Sequence, residues 1–239
     1  MQVVGMRLGS TILFLFVITS AFADQFDSYR KEIDCLECFN FSEREKAIHN
    51  LENMQTKDIE RNYLLGMLYF IQAIEAAKTS AQSRAETPRI EEVMEEPSVR
   101  YLFEAAEANY GAVEKASPGY KFIYCKYGEL YQFWNNEQGL RNTTRLAGRA
   151  KQNENIQQCK DMLEDAAEGY AQRGFANLSK AIYEEAVKEW RPYPPYMLEA
   201  LGDIAEVQKN ENEAVTWWKR CVKEGSPEAK ARCEKKLGR

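Results

Sequence analysis

The chain has little of what most catalytic chemistry requires. It has one histidine, His49, in 239 residues. That scarcity excludes every histidine-based catalytic arrangement and most zinc chemistry. Glycine and proline are also scarce, at 13 and 7, which excludes collagen-like and low-complexity chains. There is no basic excess: 32 Lys and Arg face 37 Asp and Glu, for a formal net charge of −5. A general nucleic-acid binder is normally basic, so that class is set aside. No useful length of sequence alternates apolar and polar residues, and no Asn-Gly or Asp-Gly marks a hairpin. A phosphate-cradling glycine loop, a nucleophile elbow and a D-x-D-x-D-G calcium loop are all missing. What remains is 44% hydrophobic and 12% aromatic. That is enough for a packed core, in one or two domains.

The first residues read as an address. Arg7 precedes the apolar run Ile12-Leu13-Phe14-Leu15-Phe16-Val17-Ile18, and Ala21-Phe22-Ala23 supplies an A-x-A site. This is the pattern of a secretory signal peptide over 1–23. The apolar stretch is shorter than the ~20 residues that span a bilayer, and no later run is long enough. Cleavage after Ala23 is therefore expected to leave no transmembrane segment. Export favours disulfides among the six cysteines. Pairing nearest neighbours gives Cys35–Cys38, Cys125–Cys159 and Cys221–Cys233. Gly225-Ser226-Pro227 between the last two places them on adjacent antiparallel helices. The expected compartment is the periplasm. Three sequons, at Asn40, Asn142 and Asn177, keep secretion or a eukaryotic secretory route as the alternative.

Helical spacing recurs throughout the rest. Ile156, Cys159, Leu163, Ala166, Ala167 and Tyr170 share a face, as do Leu178, Ile182, Ala186 and Trp190. Ser42-x-x-Glu45 reads as a capping box, and Ser226-Pro227 as a cap followed by proline at the first helical position. The pattern predicts helices over 42–54, 57–79, 98–115, 118–134, 138–151, 153–173, 175–190, 196–208, 211–224 and 227–237. Connections of two to five residues make sequential helices antiparallel. Residues 80–97, with Pro88, Pro97 and five glutamates, read as an exposed insertion holding at most one helical turn.

Self-comparison reveals an internal repeat. Tyr124-x2-Tyr127-Gly128-x2-Tyr131 recurs as Leu198-x2-Leu201-Gly202-x2-Ala205 and as Leu65-Gly66-x2-Tyr69. Leu163-x2-Ala166-Ala167-x2-Tyr170 is a weaker copy. A second pattern marks the following helices. It is Ala106-x3-Tyr110-x2-Val113 before Pro118, Ser179-x3-Tyr183-x2-Ala186 before Pro192, and Ala214-x3-Trp218-x2-Cys221 before Pro227. These alternating motifs resemble the tetratricopeptide repeat family. A helical bundle with coincidental spacing would not explain the alternation. The resemblance implies an all-α fold: a right-handed α-solenoid of about four helix hairpins with N- and C-terminal capping helices. The units fall at 59–120, 121–159, 160–194 and 195–228. Residues 24–58, carrying Cys35 and Cys38, form the N-terminal cap. Residues 59–239 form the solenoid with its insertion and a closing helix.

In that family a concave face lined by first-helix positions usually binds the partner. Carried over unit by unit, the resemblance names Tyr63, Met67, Phe70, Phe122 and Phe133 in the first two units. In the last two it names Asp161, Glu164, Glu168, Tyr196, Glu199, Asp203 and Glu206. It implies a protein or peptide partner with apolar and basic segments. The bland alternative is that the carboxylates form a solvated face and the aromatics pack under the insertion. Arg141, Arg145 and Arg149, four residues apart, form a stripe that suits an anion. Such a stripe equally suits a solubilising face, or pairing with the glutamates of 86–96. Cys35-Leu36-Glu37-Cys38 has redox-dithiol spacing but no βαβ scaffold, so a structural disulfide is favoured. The expectation is an exported adaptor or assembly factor, with no catalytic residue, cofactor or metal. The rivals are a small-ligand-binding or transport accessory protein, and a thiol-redox protein using Cys35 and Cys38.

Overall fold

The computed structural model describes residues 41–54, 58–83 and 90–238. The expected signal peptide, the Cys35–Cys38 pair and residues 84–89 of the insertion lie outside the described residues. Every regular element described is a helix. They are α1 (Phe41–Glu52), α2 (Ile59–Ser83), α3 (Ile90–Met94), α4 (Pro97–Ala116), α5 (Ile123–Phe133), α6 (Glu137–Arg149), α7 (Glu154–Gln172), α8 (Ala176–Glu189), α9 (Tyr196–Val207), α10 (Glu211–Glu224) and α11 (Pro227–Leu237).

Local chemistry sets many of the boundaries. Asn136, Asn153 and Asn210 accept hydrogen bonds from Gly139, Ile156 and Glu213, and so start α6, α7 and α10. Ser226 accepts from Ala229 at 3.3 Å ahead of Pro227, which starts α11 as expected. The expected helix from 118 begins at Ile123 instead. Gly119 (φ 78°) and Lys121 (φ 46°) hold a left-handed turn there, which no continuing helix accepts. Among its described residues the insertion holds the short α3, while α2 runs on to Ser83.

The helices pack chiefly on near neighbours in sequence. α2 lies along α4, α5 on α6, α7 on α8 and α9 on α10, and α11 packs on α10. Between these pairs, α5 also meets α7, and α6 meets α8. Small residues permit the close approaches. A Cβ on Gly66 of α2 would overlap the Tyr110 ring of α4. A Cβ on Gly202 of α9 would overlap the Trp218 ring of α10. The same glycine-to-aromatic relation thus recurs in two helix pairs. Gly128 differs: its Cβ would meet Met162 and Leu163 of α7 rather than α6.

One hydrophobic cluster runs from Ala47 to Cys233. Trp190, after α8, is buried, and its indole N–H donates to the Thr144 carbonyl of α6 at 3.0 Å. Disulfides Cys125–Cys159 and Cys221–Cys233 tie α5 to α7 and α10 to α11, with Cα separations of 4.7 and 6.3 Å. No helix of the described residues is long and apolar enough to cross a membrane.

Candidate functional site

The aromatic positions on α2 and α5 are mostly packed away. Tyr63 is buried edge-on to Tyr120, with ring centroids 5.9 Å apart and Lys121 over its face. Phe70 is buried between Phe103 and Phe133, at 6.1 and 6.0 Å. Met67 and Phe122 are half-buried against the core. Phe133 alone of these five is exposed, at 41%. The cover comes from α4, α5 and the loop before α5. Glu60 at the head of α2 accepts hydrogen bonds from Tyr120 and from Lys121, the latter at 2.6 and 2.8 Å.

The acidic positions separate into two groups. On α9, Glu199 is buried and accepts from Arg232 Nε at 2.8 and 2.9 Å, and from Lys236 Nζ at 3.1 Å. Asp203 accepts from Lys236 at 2.5 and 2.6 Å and from the Trp218 indole at 3.1 Å. α11 therefore pairs with these two expected groove positions. Glu206, one turn on, is exposed.

On α7 no cation fills the corresponding place. Asp161, Asp165 and Glu168 are exposed and Glu164 is half-buried. None of the four forms an ion pair among the described residues. Asp161 accepts from Gln157 at 2.7 Å, and Glu168 from Gln172 at 3.1 Å. Glu164 accepts from the Tyr196 hydroxyl of α9. Lys160, beside Asp161 in sequence, turns away. Its ammonium donates to Gln152 at 2.7 Å and lies over the Trp190 ring.

The two faces share a register. Tyr196 follows Glu164 by 32 residues, and Arg232 follows Glu199 by 33. Ala200 on α9 thus stands where Lys236 stands on α11. The carboxyl acidities diverge accordingly. Burial raises the Glu164 pKa against the Tyr196 hydrogen bond, with repulsion from Asp161, Asp165 and Glu168 adding to the rise. Burial also works against Glu199, but hydrogen bonds from Arg232 and Lys236 prevail and hold its carboxyl below the ordinary range.

The arginine stripe on α6 faces α8. Arg141 donates to Glu184 at 2.6 Å and to Glu137 at 3.1 Å. Arg149 grips Glu189 through two bonds, at 2.6 and 3.0 Å. Arg145 donates to Asn142 at 2.7 Å. The carboxylates that meet Arg141 and Arg149 belong to α6 and α8, not to the insertion. His49 is exposed, and its ring meets only the Asn53 amide among the described residues. No group of three metal-ligating side chains occurs among the described residues.

An open cleft of 530 Å³ beside α3 is lined by Glu75, Ala76, Thr79, Ser80, Glu96 and Ser98. A second, of 360 Å³, lies between α8 and α10 around Trp217 and Arg220. Neither is an enclosed apolar cavity.

The sequence reading did not single out Asp165, Tyr183, Arg232 or Lys236. Arg232 and Lys236 carry the same four-residue spacing as Glu199 and Asp203, which is the signal that could have paired them. Comparison with protein-family models, curated proteins and solved structures returns no match to this chain. The functional reading therefore rests on geometry and charge.

Proposed function

We propose that this chain is an exported adaptor or assembly factor that binds a segment of another protein. In this reading the helix pairs form a right-handed solenoid of about four tetratricopeptide-like hairpins, closed by α1 and α11. Two features support it. Helices pack in sequence order, and glycine meets a second-helix aromatic in both the α2–α4 and α9–α10 pairs. Such solenoids offer extended surfaces rather than enclosed pockets. The observation that carries the functional reading is the row Asp161, Glu164, Asp165 and Glu168 on α7. It stays unneutralised while Glu184, Glu189, Glu199 and Asp203 on neighbouring helices all pair with cations. Phe133 supplies an exposed apolar contact on α5.

The test is affinity capture by the tagged mature protein from native envelope extract, read by mass spectrometry. The Glu164→Lys/Glu168→Lys variant and a Phe133→Ala variant run beside it. A specific partner retained by the natural protein and lost by either variant supports the adaptor. No specific partner in any sample overturns it.

A further inference from the structure

The adaptor reading leaves the three sequons unused, and one of them carries an unexplained atom. Asn40 lies outside the described residues. Asn177-Leu178-Ser179 opens α8, and Ser179 is fully buried there. Its hydroxyl makes no hydrogen bond among the described residues. A buried hydroxyl without a partner costs stability, and alanine removes that cost. The same place in the second-helix motif holds Ala106 in α4 and Ala214 in α10, both buried. Packing therefore calls for a small side chain at Ser179 and gives its oxygen no use.

Asn142-Thr143-Thr144 differs. The Thr144 hydroxyl donates to the Leu140 carbonyl at 2.8 Å, so the fold itself employs it. Asn142 is half-buried within α6 and accepts from Arg145 at 2.7 Å and from Gln138 at 3.2 Å. Asn177 is exposed. Its side-chain oxygen accepts from Gln208 at 2.7 Å, which leaves the amide nitrogen without an acceptor among the described residues. Phe175, two residues earlier, is 46% exposed, and Val207, next to Gln208, is 75% exposed. The surface around Asn177 thus joins an unengaged amide to uncovered apolar side chains.

We infer that Asn177 carries an N-linked glycan, and that the Ser179 hydroxyl belongs to its acceptor signal. The glycan rests on the export in the reading above, taken through a eukaryotic secretory route, and not on the adaptor role. The donor is a lipid-linked oligosaccharyl pyrophosphate. Asn177 Nδ2 bonds to the anomeric carbon of the first sugar and gives up one proton to the transferase. The bond from that carbon to the pyrophosphate oxygen breaks, and the lipid pyrophosphate leaves with the electron pair. Ser179 is out of reach in the folded chain, so transfer precedes the seating of α8. Seating then buries the hydroxyl and leaves the glycan in solvent. There the apolar C–H faces of the first sugars cover the Phe175 ring.

The test is mass spectrometry of the full chain from its native source, before and after peptide-N-glycosidase in heavy-oxygen water. That enzyme converts a glycosylated Asn to Asp and labels it. The expected result is a mature chain starting at Asp24 with the label at Asn177. Asn177→Gln and Ser179→Ala, made in the same cells, should each lose that glycan completely. Asn177→Gln/Ser179→Ala should melt no lower than Asn177→Gln. Both lack the glycan at Asn177, so this comparison isolates the hydroxyl. A mature chain with Asn177 bare, or with a glycan only at Asn142, overturns the proposal and leaves the adaptor standing. A bare chain that retains residues 1–23 overturns export as well. A double variant that melts lower gives the Ser179 hydroxyl a place in the fold and overturns its assignment to the acceptor signal.

Discussion

The α7–α9 and α9–α11 contacts set nearly the same register of helices to opposite electrostatic ends. Both present carboxylates four residues apart to the next odd-numbered helix. In the second, Arg232 and Lys236 neutralise Glu199 and Asp203, and the contact is closed. In the first, Tyr196 meets Glu164, no cation pairs with Glu164 or Glu168 among the described residues, and the charge stays open to solvent. The difference teaches that Arg232 and Lys236 of α11 quench on α9 an acidic spacing that α7 leaves exposed. The α10–α11 pair is further tied by the Cys221–Cys233 disulfide.

The sharpest way to break the closed contact is to free its helix. Cys221→Ser/Cys233→Ser removes a cross-link across 12 residues, and loop-closure entropy sets the expected cost at about 3 kcal/mol. Urea unfolding under oxidising conditions measures it. An unchanged midpoint would mean that α11 is held by packing and charge alone.

The next test separates the two carboxylates. Glu199→Ala takes a buried carboxylate from Arg232 and Lys236, though Lys236 keeps Asp203, and should cost about 1 kcal/mol. Glu164→Ala removes a like-charge neighbour of Asp161, Asp165 and Glu168. It should change stability by no more than about 0.5 kcal/mol, with relief of repulsion offsetting the lost Tyr196 bond. Equal losses in the two variants would erase the distinction.

A smaller effect should make the open contact resemble the closed one. Ala200→Lys, one turn after Tyr196, adds a cation to α9 near the α7 carboxylates and should add at most about 0.5 kcal/mol, as exposed pairs do. It should also lower the pKa of Glu164 toward the ordinary range.

The smallest effect is on pH dependence. Glu199 has a folded pKa below its unfolded value. Its contribution is therefore present above the ordinary carboxylate range and lost as pH falls through the lowered folded pKa. Glu164 has a folded pKa above its unfolded value. Its contribution is present at low pH and lost as pH rises through the raised one. Thermal melts between about pH 3 and pH 7 should show Glu199→Gln flattening acid destabilisation. Glu164→Gln should flatten the opposite slope.

Much of the fold was legible because helical spacing and caps are local. The bounds expected for 196–208, 211–224 and 227–237 agree with α9, α10 and α11 to within a residue. The start of α5 was missed because Pro118-Gly119 reads equally as a first helical turn or as a stop. The left-handed Gly119 and Lys121 decide it.

The site was legible only in part. Exposure of Asp161 and Glu168 follows from their helical face. The fate of Tyr63 and Phe70 does not, because burial there depends on how α4, α5 and the Tyr120 loop lie against α2. Glu199 and Asp203 looked as free as Glu164 and Glu168, since the cations that quench them sit 33 residues further on. Reading α11 only for its apolar stripe conceals that charge.

The most direct measurement is a carbon-13 carboxyl titration of Glu164 and Glu199 by NMR in the intact protein. The account requires Glu164 to titrate above the ordinary glutamate range and Glu199 below it. Two coincident titrations, or the reverse order, would contradict a closed α9–α11 contact beside an open α7 face.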